Sequence, residues 1–257
     1  MTASSETALD GVTEDAFLGG RVVLRQPLRG PRAGLDAVFL AAACPQDAQR
    51  VLDVGAGAGA VSFCAAQHAT SARITGVEID PALAALFRRN AALNGLAARA
   101  SVIEGDIAGP FAPWREAGLQ PEGFDAALCN PPFHPPGSVR APKDSQLRRA
   151  HVAGLGGVEP WMRFLATCVA PRGVFVMIHA AEALPAILRA AEGRFGGLTV
   201  FPLYPRQGDA AIRVLVRGVK ASRAPMTLLG GMVIHEGDAF SPEAAAILRD
   251  GAPLRLG

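Results

Sequence analysis

The chain has 257 residues, half of them apolar and 19% charged, with a formal net charge of +2. That balance supports a sizeable core and excludes wholesale disorder, while so small a net charge neither demands a nucleic acid nor rules one out. The four cysteines (Cys44, Cys64, Cys129 and Cys168) form no CxxC pair, which excludes a zinc ribbon or a disulfide framework and implies buried thiols in a reducing compartment.

Residues 1–16 are polar, with Glu6, Asp10, Glu14 and Asp15, and read as a loose arm, unlike a signal peptide. Residues 21–26 (RVVLRQ) predict a short strand. Residues 35–43 (LDAVFLAAA) predict a helix, after the turn-forming Gly30, Pro31 and Gly34. From residue 50 strands and helices alternate. Strands are predicted at 51–54, 73–78, 101–104, 124–129 and 174–179, and helices at 60–68, 81–94, 159–169 and 181–192. The helix predicted at 81–94 opens on Pro81 and closes at Gly95, the residues preferred at helix starts and stops. Two last strands, 198–202 and 212–216, are joined by residues 203–211 with no helix between them. That connection suits an antiparallel pair.

Apolar strands without polar alternation, spaced by helices, imply a mostly parallel sheet covered on both faces. The expected fold is a doubly wound α/β sheet of seven strands with an antiparallel last strand. Residues 17–220 are expected to form the main domain, with 221–257 as an extension packed on it. No apolar run approaches the roughly 20 residues that cross a bilayer. A cytoplasmic monomer or weak dimer without membrane contacts is therefore expected. None of the five histidines has metal-ligand spacing, so no metal is expected.

The strongest local motif is Asp53-Val-Gly55-Ala-Gly57-Ala-Gly59, at a strand-to-helix junction. Glycines there let the backbone approach a ligand, and the helix start offers free N–H groups. Gly55-x-Gly57-x-x-Ala60 with Glu78 some 20 residues on also fits a dinucleotide fingerprint. Both a nicotinamide dinucleotide and S-adenosylmethionine carry an adenosine whose ribose needs an acidic acceptor, and Glu78 suits either. Asp53 tilts the choice, since a carboxylate there would sit badly beside a pyrophosphate but could meet the cationic methionine end of S-adenosylmethionine.

Where the strand at 124–129 ends stands Asn130-Pro131-Pro132-Phe133. The two prolines fix φ and make the element rigid and extended. An exocyclic amine on a base is a poor nucleophile because its lone pair is delocalised into the ring. Accepting its two N–H bonds, at the Asn130 side-chain oxygen and the Pro131 carbonyl, pulls the nitrogen toward tetrahedral geometry and frees the lone pair to attack. Phe133 would stack on the planar group. Catalysis of this kind is positioning and oriented dipoles. Ser62, Ser138 and Ser145 have no nucleophile-elbow context, which argues against a hydrolase.

This tetrad resembles motif IV of the S-adenosylmethionine-dependent amino-methyltransferases, and Gly55, Gly57 and Gly59 resemble their motif I. The likeness covers roughly residues 17 to 250. It extends to bacterial tRNA (adenine-N6)-methyltransferases that act beside the anticodon of a valine tRNA, through Arg32-Ala-Gly34-Leu-Asp36, residues 130–133 and the tail 228–249 with Val-Ile-His235-Glu. The resemblance implies the class I, Rossmann-like variant of the doubly wound fold and S-adenosylmethionine as cofactor. It implies that Glu78 binds the ribose and Asp106 reads the adenine amino group. Gly34 and Asp36 would lie near the methionine end, with Asp53 and Asn130 also facing the cofactor. The partner it implies is RNA, foremost tRNA. Phe133 is followed by His134, and Asn-Pro-Pro-Phe-His is also similar to ribosomal-RNA guanine-N2 methyltransferases. A protein glutamine-N5 methyltransferase uses the same tetrad on an amide.

A basic run follows, with Arg140, Lys143, Arg148, Arg149 and then His151. His134, Lys143, Arg148 and Arg149 are candidates for holding the nucleic acid, alongside Phe133. Arg206, Arg213, Arg217, Lys220 and Arg223 stand around the final hairpin and could extend the patch, although alternate residues of a strand face opposite ways.

Overall fold

The computed structural model describes residues 11–30, 32–132 and 157–257. It opens with an antiparallel hairpin of β1 (Val12–Phe17) and β2 (Val22–Pro27). Part of the expected loose arm is therefore a strand. The reason is physical: V-T-E-D-A-F is too polar to read as a core strand, yet it pairs residue for residue with the more apolar β2, whose Val22 and Leu24 are fully buried.

Helix α1 (Leu35–Ala42) leads into the main α/β unit. This unit contains β3 (Arg50–Val54), α2 (Ala60–His68), β4 (Arg73–Glu78), α3 (Pro81–Leu93) and β5 (Ala100–Glu104), followed by α4 (Ala112–Glu116) and β6 (Phe124–Cys129). Past residue 156 come α5 (Glu159–Cys168), β7 (Val169–Ala180), α6 (Leu184–Ala191), β8 (Phe195–Tyr204) and β9 (Arg213–Lys220). The sheet order is β5-β4-β3-β6-β7-β9-β8. Pairs among β5, β4, β3, β6 and β7 are parallel, and β9 is antiparallel to both β7 and β8. The doubly wound sheet with its reversed last strand is what the alternating pattern predicts.

Both faces of the sheet are covered. Val51, Ile74, Ala126, Leu128, Val174 and Val176 join one cluster with α1, α2 and α3. The intervening Leu52, Val54, Ala127, Cys129, Phe175 and Met177 join a second with α4, α5 and α6. Successive side chains alternate between two dry layers, so the strands show no regular alternation of apolar and polar residues. All four cysteines are buried.

The segment 221–257 adds β10 (Thr227–Leu228) and β11 (Met232–Val233) alongside β8, both parallel to it. A small hairpin, β12 (His235–Glu236) with β13 (Ala239–Phe240), and helix α7 (Pro242–Asp250) follow. The Ser241 hydroxyl accepts from the Ala244 N–H and caps α7, whose Ala244, Ile247 and Leu248 enter the cluster shared with α1.

Candidate active site

The C-terminal edge of the parallel strands gathers the candidate residues. Val54 pairs with Val77 of β4 and with Cys129 of β6. Gly55, Glu78 and Asn130 therefore leave three adjacent strands at one level, where open α/β sheets bind ligands.

The glycine loop is packed beneath and open above. The N–H groups of Gly55 and Ala56 both donate to the Val77 carbonyl, at 2.9 and 3.0 Å. A Cβ on Gly55 would stand 2.7 Å from the Trp161 ring of α5, and one on Gly59 would collide with the Phe63 ring. On Gly57, at φ 55°, a Cβ would meet nothing within 4 Å.

Glu78 ties this loop down. Its Oε2 accepts from the Gly57 N–H at 2.7 Å and its Oε1 from the Asp80 N–H at 2.9 Å, and the residue is 7% exposed. Burial pushes its carboxyl above the usual range against the pull of those N–H groups. Each oxygen keeps a further lone pair for a hydroxyl donor. Asp106 follows β5, exposed, with Oδ1 accepting from the Ala108 N–H at 2.8 Å. The neighbouring Gly105 N–H donates to the Glu78 carbonyl at 2.9 Å.

Asp53 is placed differently from the sequence-based expectation. It is 1% exposed, and its Oδ2 accepts from both the N–H (3.0 Å) and the hydroxyl (2.7 Å) of Ser62 in α2. It anchors the helix under the loop and offers no exposed carboxylate to a methionine ammonium. Burial pushes its pKa up to about 7. An unfolded Asp loses its proton near pH 4, so between about pH 4 and 7 the folded state binds more protons and stability falls as pH rises. Asp53→Asn is expected to flatten that fall, measured by urea unfolding at pH 5 and pH 8. An unchanged slope would place the titration elsewhere.

Asp36, in the first turn of α1, is ion-paired with Arg213 at the start of β9 (Nε–Oδ2 2.9 Å), each side chain about one quarter exposed. Gly34 is exposed at the N-cap of the same helix. Arg213 lies opposite Ala180 at the end of β7 and so reaches the candidate edge. Lys220 ends β9 at the far edge of the sheet, bonded to Glu122 and to the carbonyls of Ala166 and Val169. The basic group around the final hairpin is therefore split between opposite edges and is not one patch.

Asn130 is half-buried directly after β6, with Pro131 buried and Pro132 half-buried beyond it. Phe133, His134, Arg140, Lys143, Arg148, Arg149 and His151 lie outside the described residues. Among the described residues no group of histidines, cysteines and carboxylates could hold a metal ion. No described helix is long and apolar enough to cross a membrane. Sequence reasoning missed Trp161 against Gly55 and Gln26 behind the α1 entry. Gln26 is 2% exposed, and its side chain accepts from the Ala33 N–H (2.7 Å) and donates to Asp15 (3.0 Å). No signal in a single sequence marks either.

A family model described as "Methyltransferase small domain" matches residues 35–146. A tRNA1(Val) (adenine(37)-N6)-methyltransferase of Aeromonas hydrophila is 31% identical over 215 residues, covering 80% of this chain and 84% of that protein. A release factor glutamine methyltransferase of Moorella thermoacetica is 30% identical, covering 72% of this chain and 56% of that one. Against tRNA1(Val) relatives from Porphyromonas gingivalis, the match spans about half of their length. Among solved structures, a predicted O-methyltransferase from Agrobacterium tumefaciens is 28% identical with a TM-score of 0.70, covering 86% of this chain and 97% of that one. With this fold, this glycine loop and the asparagine-proline pair beside it, the chain belongs to the class I S-adenosylmethionine-dependent amino-methyltransferase family that includes the tRNA1(Val) relatives.

Proposed function

We propose that the chain transfers a methyl group from S-adenosylmethionine to an exocyclic amino nitrogen of an RNA base, adenine N6 in tRNA before others. The observation that carries this reading is the register Val54 to Cys129, which sets Asn130 level with Gly55 at the start of the glycine loop. The relatives named for tRNA adenine support the choice of base.

The residues present fit the cofactor. The open side of Gly57 leaves backbone room above the loop, and Glu78 beneath it has acceptor capacity for ribose hydroxyls. Asp36 and Gly34 would hold the methionine end, and Asp106 the adenine. When bound, S-adenosylmethionine supplies an electrophilic methyl group on a sulfonium. The chain's own part is to hold the acceptor amine. Asn130 Oδ1 and the Pro131 carbonyl accept its N–H bonds and orient its lone pair, and neither group needs to take a proton before attack. Phe133 would stack on the base, and Lys143, Arg148 and Arg149 would hold phosphates.

A second reading, methylation of a protein glutamine amide, is favoured by the match to the Moorella relative. One experiment separates the two: incubation with methyl-labelled cofactor and total RNA or extracted protein from a strain lacking the gene, followed by nucleoside and amino-acid analysis. N6-methyladenosine in the tRNA fraction is expected. Label confined to glutamine would replace the RNA reading.

A further inference from the structure

The N-terminal hairpin and the glycine loop share one side chain. Asn90, in α3, is completely buried. Its Oδ1 accepts from the Arg25 N–H at 2.9 Å, and its Nδ2 donates to the Arg25 carbonyl and to the Ala58 carbonyl, both at 2.9 Å. One helical turn on, Asn94 repeats most of this arrangement. Its Oδ1 accepts from the Val23 N–H at 2.9 Å, and its Nδ2 donates to the Val23 carbonyl at 2.7 Å and to the Asn90 carbonyl at 2.8 Å. Residues i and i+4 share a helix face, and Val23 and Arg25 point their backbone groups to the same edge of β2. The two amides therefore occupy the edge of β2 that β1 does not, much as a neighbouring strand would.

The two asparagines differ at one bond. Asn90 alone reaches the glycine loop, where the carbonyl it holds belongs to Ala58, between Gly57 and Gly59. The N–H of that same peptide, on Gly59, donates to the Ala56 carbonyl at 2.9 Å. The 58–59 peptide is thus held at both ends, while Glu78 holds the Gly57 N–H. Next to Arg25, Gln26 grips the Ala33 backbone on the way to Asp36. The hairpin is therefore joined to two of the segments that face the candidate edge, the glycine loop and the entry to α1.

We infer that Asn90 is a positioning residue of the cofactor site, coupling the β1–β2 hairpin to the glycine loop. The inference rests on reading that loop as the S-adenosylmethionine site. Loss of the Ala58 bond leaves the 58–59 peptide held at one end only and removes preorganisation that binding must then restore. A role confined to docking the hairpin would make Asn90 and Asn94 equivalent.

The test compares Asn90→Ala with Asn94→Ala in the full chain, using urea unfolding for stability and calorimetric titration with S-adenosylhomocysteine for affinity. Both variants are expected to lose stability. The Kd is expected to rise about tenfold or more in Asn90→Ala alone, with the increase appearing in KM and not in kcat. In Asn94→Ala it is expected to stay within about twofold of wild type. Should Asn90→Ala not fold, Asn90→Ser and Asn94→Ser are compared in the same way. Equal weakening in both variants, or unchanged affinity at position 90, overturns the inference while leaving the cofactor reading intact. Failure of the wild type to bind S-adenosylhomocysteine overturns both.

Discussion

Replacing Asn130 by alanine is expected to lower turnover by about 100-fold or more while S-adenosylhomocysteine affinity stays nearly unchanged. The loss is of the size that follows removal of one preorganised polar group from a reacting centre. The residue is half-buried just past a fully buried strand end, Ala126 to Cys129. Truncating it therefore leaves the core, the glycine loop and Glu78 in place. The Pro131 carbonyl remains as the second acceptor, so residual activity is expected. Asn130→Asp still accepts but brings a charge close to the sulfonium, and an intermediate rate is expected. Single-turnover rates with saturating cofactor, set beside calorimetric affinities, separate these effects. Full activity in Asn130→Ala would remove the amine-acceptor role.

Gly59→Ala is expected to cost about 3 kcal/mol of stability. Its φ of 100° lies beyond the left-handed region that an L-residue tolerates. The added methyl would also run into Phe63 and stand 3.0 Å from Phe87, two fully buried rings whose centroids are 4.9 Å apart. Overpacking of that kind costs roughly 1–3 kcal/mol and backbone strain about as much again. At roughly 2–4 °C per kcal/mol for a chain of this size, the melting temperature should fall by about 10 °C. Gly57→Ala is the contrast. Its φ of 55° is milder and its methyl meets nothing within 4 Å, so about 1 kcal/mol is expected. Its main effect should be on S-adenosylhomocysteine affinity, because the methyl projects into the open side of the loop. A Gly59→Ala protein that melts with the wild type would contradict the packing account.

The contrast between those two glycines marks what the sequence carries and what it does not. Alternating glycines after 51–54 announce a loop that needs positive φ, but only the packed structure separates the glycine over two phenylalanines from the one facing open space. The central strands are legible because both of their faces are buried, which leaves short stretches without regular polar alternation at 51–54, 73–78 and 124–129. β1 is not legible, since V-T-E-D-A-F carries its polar residues on a hairpin that stands outside the main sheet. β7 begins at Val169, ahead of the predicted 174, because Pro171 and Gly173 interrupt the apolar pattern across an irregular register near Phe124. Around the candidate site, the motifs that hold Asp53, Glu78 and Asn130 are visible by residue type and spacing. That Asp53 turns under the loop to Ser62 depends on side-chain direction, which the motif does not encode. The Asp36–Arg213 pair spans 177 positions. Asn90 bonds only to backbone groups, which leave no mark in the residue types around it.

The measurement that bears most directly on the central claim is thermal unfolding of the protein against rising S-adenosylhomocysteine, with nicotinamide dinucleotides in parallel. The glycine spacing alone admits either ligand, so the comparison tests the choice itself. A ligand that binds only the folded state stabilises it by mass action, by about 2.7 kcal/mol at a hundred times its Kd. The account predicts a melting temperature that climbs with S-adenosylhomocysteine concentration and does not move with the dinucleotides. Stabilisation by a dinucleotide with no response to S-adenosylhomocysteine would contradict it.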